Sequence, residues 1–83
     1  MNNEQNRKNV KELAQAYANG ETGQNIEEIA DYVERNGLAT GDAAKKMAEE
    51  LIKNGDVMRE YGESLNALDA QEQAYYQAMA TNA

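Results

Sequence analysis

Large apolar residues recur along the chain at the three- and four-residue spacing of amphipathic helices. In the first stretch Val10, Leu13, Ala14 and Tyr17 fall on one helical face. The same spacing returns between residues 26 and 33 and again between residues 44 and 52. The pattern predicts helices over residues 3–19, 25–36 and 41–54.

Asn-Gly dipeptides at residues 19–20, 36–37 and 54–55 end each of these stretches. A glycine just past a helix adopts the left-handed conformation that closes the last turn, so each dipeptide predicts a helix end. Asn25 precedes the second stretch with Glu28 three residues later, and this spacing is typical of a capping box at a helix start.

Beyond Asp56 the apolar positions follow a strict three-four alternation, which predicts one long helix over residues 56–80 and a face suited to helix pairing. Gly62 and the capping-box pattern of Asp69 with Glu72 leave a bend or a break open. The alternating positions, with one acidic interruption at Glu72, are here named the C-terminal seam: Met58, Tyr61, Leu65, Leu68, Glu72, Tyr75 and Met79.

Length and composition fit a single all-α domain over residues 1–83. We predict a small bundle of four helices, or five if the long C-terminal helix is broken. Leu, Ile, Val and Phe together number only eleven of 83 residues. A core this thin predicts modest stability, and self-association or a partner would add to it.

The chain has 15 acidic and 8 basic side chains, for a formal charge of −7. A surface of this sign repels nucleic acid and anionic membranes and attracts basic proteins. We therefore predict neither direct nucleic-acid binding nor membrane binding. The polar N-terminus and the lack of a long apolar run predict a cytoplasmic protein.

Catalytic residue types are scarce. The chain has no Cys and no His, and its one serine, Ser64, has no histidine to activate it. Adjacent carboxylates on helices are typical of solvated faces. The sequence therefore predicts a protein that is not an enzyme and that needs no cofactor and no metal.

The acidic residues are segregated along the chain. Five carboxylates and no base lie between residues 21 and 34. Glu27, Asp31 and Glu34 fall on the helical face opposite the apolar one, beside Glu28, and Tyr32 is predicted to be an exposed contact residue because it lies off the best apolar face. A second acidic stripe consists of Asp56, Glu60 and Glu63.

These observations predict two alternative functions. The first is a small acidic protein-binding module of the phage or mobile-element type, an inhibitor or modulator that resembles DNA in charge. It would dock through the two acidic stripes on the basic surface of a nucleic-acid-handling protein, for example a nucleic-acid-binding enzyme. The alternative is a structural or assembly protein whose C-terminal seam forms a homodimer or pairs with a partner helix.

Overall fold

The computed structural model describes residues 3–81, and this part of the chain contains four helices and no strand. The helices are α1 (Asn3–Ala18), α2 (Ile26–Arg35), α3 (Gly41–Lys53) and α4 (Gly55–Thr81). The prediction of an all-α bundle with a long C-terminal helix is therefore confirmed. Each helix boundary lies within one residue of the position that the sequence pattern predicted.

The helices pack mainly as two pairs, α1 with α4 and α2 with α3, and α3 meets α4 at Asn54. One cluster of buried side chains joins the pairs. Its members come from α1, α2 and α3: Leu13, Ile29, Val33, Ala44, Ala48 and Leu51. Two of the six are alanines, so the core buries little apolar area and the fold depends on few side chains.

All three Asn-Gly dipeptides directly follow helix ends, as predicted: α1 ends at Ala18, α2 at Arg35 and α3 at Lys53. Gly20 and Gly37 have φ values of 75° and 68°, in the left-handed region that glycine adopts without strain. Gly55 does not adopt the predicted left-handed conformation, because it is the first residue of α4 and Asn54 alone separates α3 from α4. An added Cβ at Gly55 would lie 3.0 Å from the Tyr17 hydroxyl, so this glycine allows a close contact.

The start of α2 contains the predicted cap. The Asn25 side chain accepts a hydrogen bond of 2.9 Å from the Glu28 backbone N–H. The Glu28 carboxylate accepts bonds from the Gln24 backbone N–H and from the Asn25 side-chain amide, at 3.2 and 2.9 Å. Glu28 therefore closes the loop that leads into α2.

Helix α4 runs unbroken through Gly62 and Asp69, so the two features that left a break open do not interrupt it. Gly62 is buried where α4 crosses α1. An added Cβ would overlap the Ala14 carbonyl oxygen and would lie 2.9 Å from the Ala18 Cβ. The glycine is thus required by the close approach of two backbones.

The two crossing helices differ greatly in length. The 27 residues of α4 span about 40 Å, whereas the 16 residues of α1 span about 24 Å. Hydrogen bonds from the Gln15 side chain to Asn66 and Asp69, at 3.1 and 2.8 Å, tie α1 to the middle of α4. Every described residue from Ala67 to Thr81 is exposed, so the second half of α4 projects from the bundle.

Candidate functional site

The projecting half of α4 carries large apolar side chains into solvent. Leu68, Tyr75 and Met79 of the C-terminal seam are 55%, 62% and 54% exposed. Tyr76 is 66% exposed, and its ring meets the Tyr75 ring edge-on with centroids 5.7 Å apart. Large apolar side chains that recur in solvent along one helix are typical of an interaction surface.

The first half of the seam lies against the bundle. Met58 packs against the core cluster, Leu65 is half-buried and Tyr61 is 38% exposed. The seam is therefore one continuous strip on α4. Its early positions are partly covered from within the chain, and its late positions are exposed.

An apolar hollow opens beside the early seam, between α1, α3 and α4. Its volume is about 320 Å³. The apolar residues that line it are Val10, Leu13, Met47, Leu51 and Met58. The hollow can take one aromatic side chain or a short apolar segment.

A second hollow adjoins the first and differs from it in charge. It is lined by Arg7, Val10 and Lys11 of α1 together with Tyr61 of the seam. Both basic side chains are exposed. The early seam is thus flanked by positive charge in a protein whose net charge is −7.

Val10, Arg7 and Lys11 were not among the predicted site residues. The spacing of Arg7 and Lys11 places them on one face of α1, which is a signal in the sequence. Their position beside Tyr61 depends on how α1 crosses α4. That crossing is a tertiary feature, and no local pattern predicts it.

The acidic stripe of α2 is exposed but partly engaged. Glu27, Asp31 and Glu34 all lie at the surface. Asp31 forms an ion pair of 2.8 Å with Arg35, both side chains being about two thirds exposed, and Glu34 accepts a 3.4 Å bond from the Gly41 backbone N–H. Arg35, the base that follows the stripe in sequence, thus pairs with Asp31, the middle carboxylate of the stripe.

The second acidic stripe lies on another part of the molecule. Asp56, Glu60 and Glu63 are exposed on α4, on a side of the helix away from the seam. Helix α2 packs on α3 and α4 packs on α1, so different helix pairs carry the two acidic stripes.

Tyr32 corrects one prediction, because it is half-buried against the core cluster and not an exposed contact residue. Burial raises the pKa of its phenol above the ordinary value of 10.0. The nearby Glu21 and Glu12 carboxylates raise this pKa further, and Arg35 opposes them. The phenol is therefore neutral at physiological pH and acts as a packing group with a polar edge.

Candidate chemistry is sparse in the described residues. Ser64 is an exposed residue of α4. Between residues 3 and 81, acidic side chains form no group of three or more that could hold a metal ion. None of the helices in this range combines the length and the apolar character that crossing a bilayer requires.

No protein-family model, curated protein or solved structure matches this chain.

Proposed function

We propose that this chain is a helix-binding assembly module whose contact surface is the C-terminal seam of α4. The exposure of Leu68, Tyr75 and Met79 on a helix that projects from its own bundle supports this proposal. Three large apolar side chains at heptad spacing match the pattern by which two helices pack knobs into holes. Because the core of the bundle is thin, burying this surface against a partner would also stabilise the fold.

The projecting half of α4 also has little to hold it in place alone. An isolated helical segment of about four turns is marginally stable in water, because most helical stability in proteins comes from tertiary packing. Pairing would cover the apolar side chains and stabilise the helix in one event. The free energy gained would come from apolar burial, at about 25 cal/mol per Å².

The test replaces Leu68 and Tyr75 together with glutamate. The affinity of the protein should fall at least about 100-fold, because two charges would enter an apolar contact. This applies to a partner captured by the tagged protein from a lysate of its source organism and equally to self-association. Isothermal titration or sedimentation velocity measures the affinity. For the unchanged protein, binding should persist from 0.1 to 0.5 M NaCl, where the Debye length falls from about 10 Å to about 4 Å.

The matched control places the same two charges on the other side of α4, as Ala70→Glu with Gln77→Glu. Both residues are exposed and lie off the seam. This control variant should bind like the unchanged protein, with the same far-UV circular dichroism. Equal affinity for the seam variant and the control variant would contradict the proposal.

A second candidate function is docking of the acidic α2 surface on a basic protein, which the exposure of Glu27, Asp31 and Glu34 favours. Such a chain would act as an inhibitor or modulator. Its binding would be led by charge, so its affinity would fall steeply with added salt.

Neutralising these three carboxylates as Glu27→Gln, Asp31→Asn and Glu34→Gln tests the second candidate. Charge-led docking predicts a loss of affinity of about 100-fold at 0.1 M salt with unchanged helicity. The control removes three carboxylates outside α2, as Asp42→Asn, Glu49→Gln and Glu63→Gln. Affinity that is unchanged, or that falls equally in both variants, would rule out α2 as the docking surface.

A further inference from the structure

We propose that the occupant of the seam is a second copy of this chain, bound antiparallel, so that the projecting half of each α4 lies along the bundle end of the other. This inference rests on the proposed function, since it names the partner of the same surface. It follows from three features of the seam: its bare end, its acidic interruption, and the two hollows beside its early positions.

The seam is suited to a symmetric pair because its late half has uncovered apolar side chains and its early half has unfilled hollows. Residues 67–81 expose apolar side chains, whereas the region around Met58 and Tyr61 has hollows that nothing in the described chain fills. In a twofold antiparallel pair the late seam of each copy meets the early seam of the other. The same contact, which occurs twice in the pair, then covers the exposed apolar side chains and fills the hollows.

Glu72 selects between the two directions of pairing. In a parallel pair Glu72 would face Glu72 of the second copy, and like charges in an apolar seam oppose association. In an antiparallel pair the same carboxylate faces an early seam position. Arg7 and Lys11 lie beside one of those positions, Tyr61.

The register follows from matching these charges. If Leu65 faces Leu68 of the second copy, then Tyr61 faces Glu72 and Met58 faces Tyr75, because the seam positions run in reverse order. Each Glu72 carboxylate then comes next to Arg7 and Lys11. Among residues 3–81 the only ion pair shorter than 4 Å joins Arg35 to Asp31. Arg7 and Lys11 can therefore both bind a carboxylate of the second copy.

The apolar hollow fits the same register. Tyr75 of the second copy would lie opposite Met58, which lines the 320 Å³ hollow with Val10, Leu13 and Met47. An aromatic side chain fits that space, and aromatic rings bury a large apolar area when they are covered. The paired region, residues 58–75, is 18 residues long and spans about five helical turns.

Moving the pair by one heptad is less favourable. With Leu68 facing Glu72 of the second copy, the two Glu72 residues would lie about 6 Å apart along the helix axis. Neither carboxylate would then lie opposite Tyr61 and its flanking bases. Charge complementarity therefore favours the register with Leu65 against Leu68.

Charge reversal tests both the partner and the register, with the dimer dissociation constant measured by sedimentation equilibrium. Glu72→Lys should weaken the dimer about 10-fold or more, and so should Arg7→Glu with Lys11→Glu, because each change places like charges together. The protein with all three substitutions should regain an affinity within about 3-fold of the original. Far-UV circular dichroism confirms that each variant stays helical.

The alternatives give different results. An unchanged dissociation constant for the Arg7 and Lys11 variant would overturn the antiparallel register. A protein that is monomeric at every concentration, yet captures another protein through Leu68 and Tyr75, would overturn the second copy and leave the proposed function in place. A monomer whose binding is also indifferent to Leu68 and Tyr75 would overturn both.

Discussion

Replacing Gly62 with alanine is expected to destabilise this protein by about 2 to 3 kcal/mol, although alanine is the better helix former. An added Cβ would overlap the Ala14 carbonyl oxygen, so α1 must move away from α4. The movement would loosen the whole crossing because backbone, and not a flexible side chain, blocks the methyl group. The free energy of unfolding from urea denaturation, followed by circular dichroism, measures the effect.

Ser64→Ala is the matched control, since Ser64 is an exposed residue two positions further along the same helix. Its effect should stay within about 0.5 kcal/mol. Helix propensity alone predicts the opposite for Gly62→Ala, a gain of about 1 kcal/mol. An increase in stability would show that α1 and α4 do not approach as closely as described.

Truncating Ile29 to alanine is expected to cost about 2 to 4 kcal/mol. Ile29 is completely buried, and with Val33 it is one of the two largest fully buried side chains in the described chain. A domain of this size has a total stability of only about 4 to 12 kcal/mol. The variant should therefore show a much lower midpoint of thermal unfolding, and a substantial unfolded fraction if the protein lies at the lower end of that range.

Ile52→Ala is the comparison for Ile29, because Ile52 is 39% exposed on α3. The Ile52 side chain already contacts solvent, so truncating it loses less buried apolar area, and the cost should stay below about 1 kcal/mol. Similar costs at the two positions would contradict the placement of the core between α1, α2 and α3.

Local chemistry explains why so much of the fold was predictable from sequence. The capping by Asn25 and the left-handed Gly20 and Gly37 act within a few residues, so their signals are complete in the sequence. Gly62 and Gly55 were harder to interpret because each glycine serves a contact with α1, which is distant in sequence. A glycine inside a helical pattern has the same local signal whether it bends a helix or admits another backbone.

The candidate site was also predictable from sequence only where its features are local. The three-four spacing of Leu68, Tyr75 and Met79 predicted an apolar face, but it could not show which half of that face is bare. Exposure of the late half follows from the short length of α1 and from its crossing at Gly62. The acidic stripe of α2 was equally visible in sequence, whereas the bond from Gly41 to Glu34 depends on the folded loop.

Tyr32 was misassigned for a related reason. Its position off the apolar face of α2 indicated exposure, but α2 is packed closely enough for the ring to reach the edge of the core cluster. A tyrosine can bury its ring while its hydroxyl stays near water, so helical position alone does not fix its burial.

Hydrogen–deuterium exchange, followed by mass spectrometry of the protein in its free and associated forms, tests the central claim most directly. A solvated projecting helix opens often, and pairing holds its backbone hydrogen bonds closed. Peptides covering residues 67–81 should therefore exchange at least about 10-fold more slowly on association, with little change in α2. Slower exchange confined to α2, with residues 67–81 unchanged, would contradict the assignment of the C-terminal seam as the contact surface.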